Sequence, residues 1–428
     1  MYTNPKTLSV KSRLFPALLG KLGWGIIVFL LVFLPFQALI QKWAKLPYQC
    51  LWVDEFLIMI GFILFSFGLS YCGRIKKGAA TVLFSLLFLV IIGVISALYN
   101  GNPLIISVGS IFNYIKNFLV IPVFCLFVMP KKKVMSLYKI LHWLALFLCF
   151  IAVLQEIVFF LGFSVEKIGV HFVDVRFGLM RTPSLLGHPN VFGLYALLFF
   201  ILDFSLYRRF RGHNLLFLSG IILSCSRVAW IALYFCFFSL LIQKDKKIIG
   251  VFVLVTIIIT AIFIPYLLSA KELTSEHYFR RYTVLKSVEI WKEHPFLGVG
   301  PGMYGGWITP LFTSPIYEKY QFEIRWIEML KRHRTLDSFL VSNLAESGLL
   351  GTLGFVVLLI ILWKVSRREA QLAEDPFRKR MLCGFSVMPI VITAYFSTNV
   401  LNVTPFLLTY TLLFGMVLGA KDENLVSQ

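Results

Sequence analysis

The stretch "AATVLFSLLFLVIIGVISAL", residues 79–98, runs for twenty residues without a charged side chain. A helix that crosses a bilayer needs roughly 20 apolar residues, so this stretch predicts a membrane span. Similar apolar runs recur along most of the chain. The predicted spans are residues 23–40, 55–73, 79–98, 110–129, 138–162, 190–206, 214–224, 228–242, 248–268, 339–363, 382–399 and 404–420.

The composition agrees with a polytopic, all-α membrane protein. Hydrophobic residues make up 58% of the chain and charged residues only 14%, whereas about 25% of the residues of soluble domains are charged. The seven cysteines lie singly in mostly apolar segments. Because zinc sites and redox motifs need closely spaced pairs, the cysteines predict neither.

The basic residues determine the predicted topology. The net charge is +20, but most lysines and arginines form short clusters between apolar runs, which is typical of topology determinants rather than of a nucleic-acid surface. Twelve spans, with both termini in the cytoplasm, put these clusters on the cytoplasmic side. The short runs 214–224 and 228–242 could form one helix, but every later cluster would then lie outside. We expect residues 1–428 to form a single integral membrane domain.

This topology leaves one large loop, residues 269–338, outside the cytoplasm. Its charged, partly amphipathic sequence predicts two or more helices, interrupted by the glycine-rich stretch "HPFLGVGPGMYGG", residues 294–306. No strand pattern precedes Gly298, Gly300 and Gly302 and no Lys-Ser/Thr follows, so a nucleotide-binding loop is not expected. The glycines either bring the backbone close to a bound headgroup or sugar, or only turn the chain between two surface helices.

Several arginines fall on the outer side, against the topology rule. Arg181 lies in the loop near residues 163–189, Arg227 at the turn between two short spans, and Arg280 and Arg281 before the glycine-rich stretch. Because guanidinium groups bind phosphate oxygens bidentately, arginines that converge at a membrane surface suit a lipid-linked diphosphate. Each could instead contact anionic headgroups or pair with glutamates of the loop.

Four motifs resemble those of one family. They are "RTPSLLGHPNVFGLYALL", residues 181–198, "LSCSRVAWIALY", residues 223–234, "HPFLGVGPGMY", residues 294–304, and "DSFLVSNLAESGLLG", residues 337–351. In this order and spacing they are similar to the motifs of the O-antigen ligase and O-antigen polymerase superfamily of bacterial membrane glycosyltransferases. The resemblance covers roughly residues 175–365.

The resemblance implies a GT-C-like, metal-independent glycosyltransferase in the bacterial cytoplasmic membrane, with its active site facing outward. Its donor would be a polyprenyl-diphosphate-linked glycan, its acceptor a second glycan or a lipid-linked sugar, and a chain-length regulator would be a further partner. No cofactor and no metal site are expected, since the outer loops contain no His/Asp cluster with ligand spacing. Arg181, Arg227 and Arg281 are the predicted diphosphate clamp, with Arg280 the next candidate.

Three residues are candidates for acid–base roles. Many relatives carry a His-Asn pair just before the Phe-Leu of the last motif, where this sequence has Leu336 and Asp337. His333 lies one helical turn earlier and could reach the same space, while Asp337 could itself accept the hydroxyl proton. His333 could also belong to a solvated basic face. Glu346 lies among apolar residues near the end of a span, where a carboxylate is functional or pairs helices.

Three functions remain open at this point. A polymerase joins carrier-linked repeat units, a ligase transfers the glycan to lipid A core or another terminal acceptor, and a flippase or exporter does no chemistry. A transporter would place ionisable groups and broken helices near the bilayer midplane, whereas the polar groups of this sequence cluster outside. The missing His-Asn pair favours the polymerase slightly over the ligase.

Overall fold

A computed structural model describes most of the chain. The described residues are 76–126, 130–163, 175–176, 178–244, 275–305, 314–333, 339–394 and 404–420, with scattered positions between 25 and 63. The predicted span 248–268, much of the spans 23–40 and 55–73, and Asp337 lie outside the described residues.

The described chain is predominantly helical. A short 3₁₀ helix, Leu34–Phe36, precedes the long helices, and one two-stranded hairpin pairs β1, Val175–Arg176, with β2, Leu179–Met180. The helices are α1 Lys77–Tyr99, α2 Leu104–Leu126, α3 Lys131–Phe160, α4 Pro189–Tyr207, α5 Gly212–Leu223, α6 Arg227–Lys244, α7 Ser275–Glu293, α8 Pro315–Lys319, α9 Ile324–His333, α10 Phe339–Leu372, α11 Pro376–Phe385, α12 Met388–Ala394 and α13 Thr404–Gly419.

Five of these helices, α1, α2, α3, α4 and α10, are long and apolar enough to cross a membrane. They match the predicted spans 79–98, 110–129, 138–162, 190–206 and 339–363. Their outward surfaces are also apolar: in α1, Phe84 is 72% exposed and Ile91 55%. Side chains of this kind on a helix surface are stable against lipid rather than water. The protein is therefore a helical membrane protein, as the composition predicted.

In the core of the bundle, α2 packs between α1 and α13. Helix α4 is surrounded by α5, α6, α11 and α13. Helix α4 is buried along most of its length, including every residue from Phe192 to Leu202. A helix that is apolar all round is stable only in such a position or in lipid. The bundle consequently holds α4 firmly, with the motif at residues 181–190 at its amino-terminal end.

Two regions differ from simple spans. Residues 214–224 and 228–242 form the separate helices α5 and α6, as expected, but α5 has 12 residues and is about 18 Å long, shorter than the ~30 Å hydrocarbon core. The predicted span 382–399 is interrupted at Ser386 and Val387, between α11 and α12. Pro389, the second residue of α12, cannot continue an upstream helix because it lacks an N–H and its ring clashes with the preceding turn. The count of twelve spans stays a prediction.

The described part of residues 269–338 contains α7, α8 and α9, with the glycine-rich stretch between α7 and α8. These segments bury a small core of their own, separate from that of the bundle. Its buried members are Ile290, Val299, Met303, Tyr304, Tyr317, Tyr320, Phe322, Trp326 and Ala345. Ala345 belongs to α10, so this aromatic core anchors the region to the bundle. The side of the membrane on which it lies stays a prediction.

Candidate functional site

The glycine-rich stretch packs against a break in α10. Gly348 has φ 62° and ψ −159°, which interrupts the helix. Around this break, the N–H groups of Val299 and Gly300 donate to the carbonyls of Ala345 (2.9 Å) and Glu346 (2.8 Å), and the N–H of Leu349 donates to the carbonyl of Pro295 (2.9 Å). The loop thus forms hydrogen bonds with backbone groups that the break leaves without helical partners. Buried backbone groups need such partners because no water reaches them.

This close approach depends on glycines, most clearly Gly300 and Gly348. Gly300 has φ 102°, and a Cβ atom there would overlap the side chain of Asn102. A Cβ atom on Gly348 would lie 2.5 Å from the backbone of Phe296. Both positions combine a left-handed backbone with no room for a side chain, so only glycine fits. Gly298 and Gly302 also have positive φ, and all three glycines predicted from the sequence are buried against protein.

Glu346 lies at the centre of this packing. Its side chain is fully buried, and its two carboxylate oxygens accept four hydrogen bonds. Oε2 accepts from the hydroxyl of Tyr114 (2.5 Å) and the N–H of Gly302 (2.9 Å). Oε1 accepts from the N–H groups of Tyr304 (3.0 Å) and Gly305 (3.1 Å). The carboxylate therefore fixes the conformation of the loop, because an ionised acceptor forms stronger hydrogen bonds than a neutral one.

The carboxyl-terminal end of α1 also holds the loop. The Ser96 hydroxyl donates to the carbonyl of Leu297 (2.6 Å), and the Asn102 amide donates to that of Val299 (2.7 Å). The sequence reasoning missed these partners and Tyr114. The "YNGNP" turn that follows α1 was a signal, because asparagines beside glycine and proline mark turns whose side chains bond to backbone. Nothing in the local sequence identified Tyr114, which lies 232 residues from Glu346.

The aromatic core is also linked by hydrogen bonds. The hydroxyl of Tyr304 donates to the carbonyl of Thr283 (2.5 Å), the indole N–H of Trp326 donates to the Thr283 hydroxyl (3.1 Å), and the Tyr317 hydroxyl donates to the carbonyl of Tyr304 (2.8 Å). Burial, and next the surrounding acidic and phenolic groups, raise the pKa of Tyr304 and of Tyr317 well above the ordinary value. Both phenols thus remain neutral donors.

An exposed ionic cluster lies where α7 meets the loop. The Tyr320 hydroxyl donates to Glu293 Oε2 (2.7 Å), and Lys319 Nζ lies 3.4 Å from the same oxygen. The Tyr320 hydrogen bond, followed by those from Lys319, lowers the pKa of Glu293. Partial burial, and then the Lys319 charge, lower the pKa of His294. Both shifts favour the deprotonated group in the folded protein.

The first two arginine motifs meet at the ends of α4 and α5. The N–H of Thr182 donates to the carbonyl of Leu223 (3.0 Å), and its hydroxyl donates to the same oxygen (2.9 Å). This contact joins the residue after Arg181 to the segment that ends at Arg227. One guanidinium nitrogen of Arg181, Nη2, also donates to Asn190 Oδ1 (3.0 Å), at the start of α4.

Arg227 is the first residue of α6, and its side chain is exposed. The amino-terminal ends of α4 and α6 therefore lie next to the two arginines, and the dipole of each helix adds partial positive charge there. The tight turn before Arg227 includes Cys225, whose φ is +44°.

The other predicted arginines lie on α7. Arg281 is exposed, and the backbone of Arg280 precedes it in the same helix. The structure brings the first two arginine motifs together and leaves the third on a separate element.

Of the acid–base candidates, only Glu346 has a described side chain. His333 is the last residue of α9, and only its backbone is described. Asp337 lies outside the described residues. A second buried carboxylate, Glu156 of α3, lies behind the hairpin, where its Oε1 accepts from the N–H of Met180 (3.0 Å).

The arrangement offers two chemical features: two arginine motifs that meet at helix ends, and a glycine-rich loop held by a buried carboxylate. Together with the apolar helices, these features define a helical membrane protein in which two arginine motifs meet at the ends of α4, α5 and α6. A scan against models of protein families finds no match, and a search of the curated proteins finds none.

Proposed function

We propose that the protein is a membrane glycosyltransferase that uses a polyprenyl-diphosphate-linked oligosaccharide as donor. The proposed reaction polymerises surface polysaccharide repeat units at the outer face of the bacterial cytoplasmic membrane. The observation that supports it most is the junction of the two arginine motifs, in which Thr182 bonds to the end of α5 within four residues of Arg227. The motif resemblance supports the same reaction independently.

The proposed chemistry needs fixed positive charge. When the bond between the anomeric carbon and phosphate breaks, negative charge develops on the departing diphosphate. Donors already oriented toward that position stabilise the transition state without reorganisation. Arg181, held by Asn190, and Arg227, at the amino-terminal end of α6, would supply two guanidinium groups and two helix ends. Arg281 and Arg280 are the next candidates, from α7.

In this proposal the glycine loop and Glu346 position the site rather than react. Four hydrogen bonds occupy the Glu346 carboxylate, and the side chain has no exposure. A general base must reach the proton that it removes, and this carboxylate is enclosed by the glycine loop and by Tyr114 of α2. We therefore assign Glu346 to holding the shape of the region that carries α7, α8 and α9.

The acceptor we propose is a second carrier-linked glycan. Its hydroxyl proton would pass to His333 or to Asp337, the two candidates in the segment between α9 and α10. If His333 is the base, activity should fall as pH drops through roughly 6 to 7, whereas an unshifted Asp337 should retain activity down to about pH 4 to 5.

The test of this proposal compares Arg227→Lys with Arg227→Ala in a strain that lacks the chromosomal gene. Glycan chain formation is measured after membrane levels of each variant are shown to be normal. We expect the lysine variant to be nearly as inactive as the alanine variant, because a point charge cannot bind a diphosphate bidentately. Arg325→Lys, at an exposed arginine of α9, is the matched control and should be active. Wild-type chains from Arg227→Lys would remove Arg227 from the proposed clamp.

A further inference from the structure

A second polar cluster lies in the bundle, away from the arginine motifs. It consists of His142 in α3, Asp203 in α4 and His213 in α5. Asp203 and Asn190 lie on the same helix, about 20 Å apart at ~1.5 Å per residue. The cluster is therefore distinct from the surface proposed to bind diphosphate. Local sequence spacing could not identify it, because each residue comes from a different helix.

The geometry brings three ligand-type atoms together. Nε2 of His213 lies 2.8 Å from Oδ2 of Asp203, and Nδ1 of His142 lies 3.7 Å from Oδ1. The three ligand atoms are all within 4.8 Å of one another. In a tetrahedral zinc site with bonds of about 2.1 Å, the ligand atoms are about 3.4 Å apart. The measured separations lie on either side of that value, so small side-chain adjustments would place all three around one cation.

Asp203 provides an independent observation. Its side chain is fully buried, and Oδ1 has no hydrogen-bond donor in good geometry among the described residues, although the Tyr138 hydroxyl interacts with the carboxylate. A buried carboxylate oxygen without such a partner is costly, since polar groups removed from water normally regain their hydrogen bonds. A cation bound between Asp203 and His142 would compensate this oxygen directly. The two histidine side chains, 12% and 28% exposed, leave a route for an ion to enter.

We propose that His142, Asp203 and His213 bind a divalent first-row transition metal ion, with zinc as the leading candidate. Two imidazoles and one carboxylate form a ligand set that zinc and its neighbours favour over calcium or magnesium. The fourth position would be taken by water or by the phenol of Tyr138, whose hydroxyl lies 3.5 Å from Nδ1 of His142. Arg211 also carries positive charge near the cluster. Its guanidinium lies 3.5 Å from the centre of the Tyr207 ring, so a cation–π contact partly offsets that charge.

The bound ion would act as a structural link. One cation would fasten α3, α4 and α5 at the end of α4 opposite its arginine motif. Since α4 carries Asn190 at its other end, this link would fix the helix whose position the proposed diphosphate-binding surface requires. The site does not depend on the proposed glycosyl transfer, and its test does not use activity.

The experiment is a metal titration of the full-length protein in detergent. The protein is first treated with a chelator, which is then removed, and Co²⁺ is added while the visible absorption is recorded. We expect one Co²⁺ per chain, with d–d bands of a tetrahedral or five-coordinate site that zinc abolishes. Zinc should also raise the thermal unfolding temperature. A folded wild-type protein that binds no stoichiometric metal would overturn the proposal and leave a histidine–carboxylate hydrogen-bond network.

Variants locate the ion. His213→Gln, at the most exposed ligand, and Asp203→Asn should each lower zinc affinity by at least about 10- to 100-fold and lose the zinc-dependent rise in unfolding temperature. His294→Gln, which removes a histidine from the ionic cluster beside the glycine loop, is the matched control and should bind as the wild type does. Equal zinc binding by His213→Gln and His294→Gln would refute the assigned site. Because His213 is partly exposed, this variant should fold even if Asp203→Asn does not.

Discussion

Replacing Glu346 with glutamine should destabilise the protein far more than the same replacement at Glu156. Both carboxylates are buried in helices of the bundle, and both variants remove one negative charge without changing side-chain size. They differ in the number of donors that each carboxylate satisfies. Glu346 accepts four hydrogen bonds, three of them from backbone N–H groups of the glycine loop. Glu156 accepts one, from Met180, and its Oε2 accepts none from the described residues.

The magnitude follows from these contacts. In Glu346→Gln, the amide oxygen can keep the two donors at Oε1, but the new NH₂ group then faces the N–H of Gly302. One orphaned buried donor costs about 1–3 kcal/mol, and the two retained bonds each lose about 1 kcal/mol without the charge. Because a neutral amide is cheaper to bury than a carboxylate, the expected net loss is about 2–4 kcal/mol. Glu156→Gln can keep its single bond, so its effect should stay within about 1 kcal/mol.

Thermal unfolding of the purified variants, followed by tryptophan fluorescence, measures the difference. Tyr114→Phe, which removes one of the four donors to Glu346, should fall between the two glutamine variants. Equal unfolding temperatures for Glu346→Gln and Glu156→Gln would refute the argument. If Glu346→Gln kept wild-type stability but made no glycan, Glu346 would be a catalytic residue rather than the support of the loop.

Three further outcomes are expected. Gly300→Ala should lower the free energy of unfolding by about 2 kcal/mol or more, because it adds a Cβ atom at φ 102° against Asn102. Gly212→Ala is the control: its Cβ atom meets open space, so the unfolding temperature should change little. The pKa values of His294 and Glu293 are lowered in the folded protein. The stability of the fold should therefore decrease as pH falls below about 6.5, where His294 takes up a proton, and again below about 4.5, where Glu293 does. His294→Gln should flatten the upper part of this stability–pH curve. A cysteine at position 292 in a cysteine-free chain should react with an impermeant thiol reagent on intact cells, and labelling only after lysis would contradict the topology.

The sequence alone correctly predicted a helical membrane protein and the positions of five long helices. Apolar runs of about twenty residues have few alternative folds. It also predicted that residues 214–224 and 228–242 form separate helices. The break at Ser386 escaped prediction: Pro389 signals a helix start as well as an interruption, and the surrounding run is apolar throughout.

The contacts of the candidate site were less predictable. Glycine spacing identified a loop that needs positive φ, but the partner of the loop, the broken helix at Gly348, is distant in sequence. The role of Glu346 depends on Tyr114 and on three backbone N–H groups that only the fold brings together. The cluster of His142, Asp203 and His213 arises in the same way, from three helices whose packing no local pattern specifies.

The most direct test of the proposed function is a reaction with defined components. Purified wild-type protein is mixed with a synthetic polyprenyl-diphosphate oligosaccharide, and lipid-linked products are separated by length. We predict elongation of the glycan with release of polyprenyl diphosphate, a loss of about 10²- to 10³-fold in rate for Arg227→Ala, and a normal rate for Arg325→Ala. Failure of the folded wild-type protein to lengthen the glycan, or unchanged elongation by Arg227→Ala, would contradict the account.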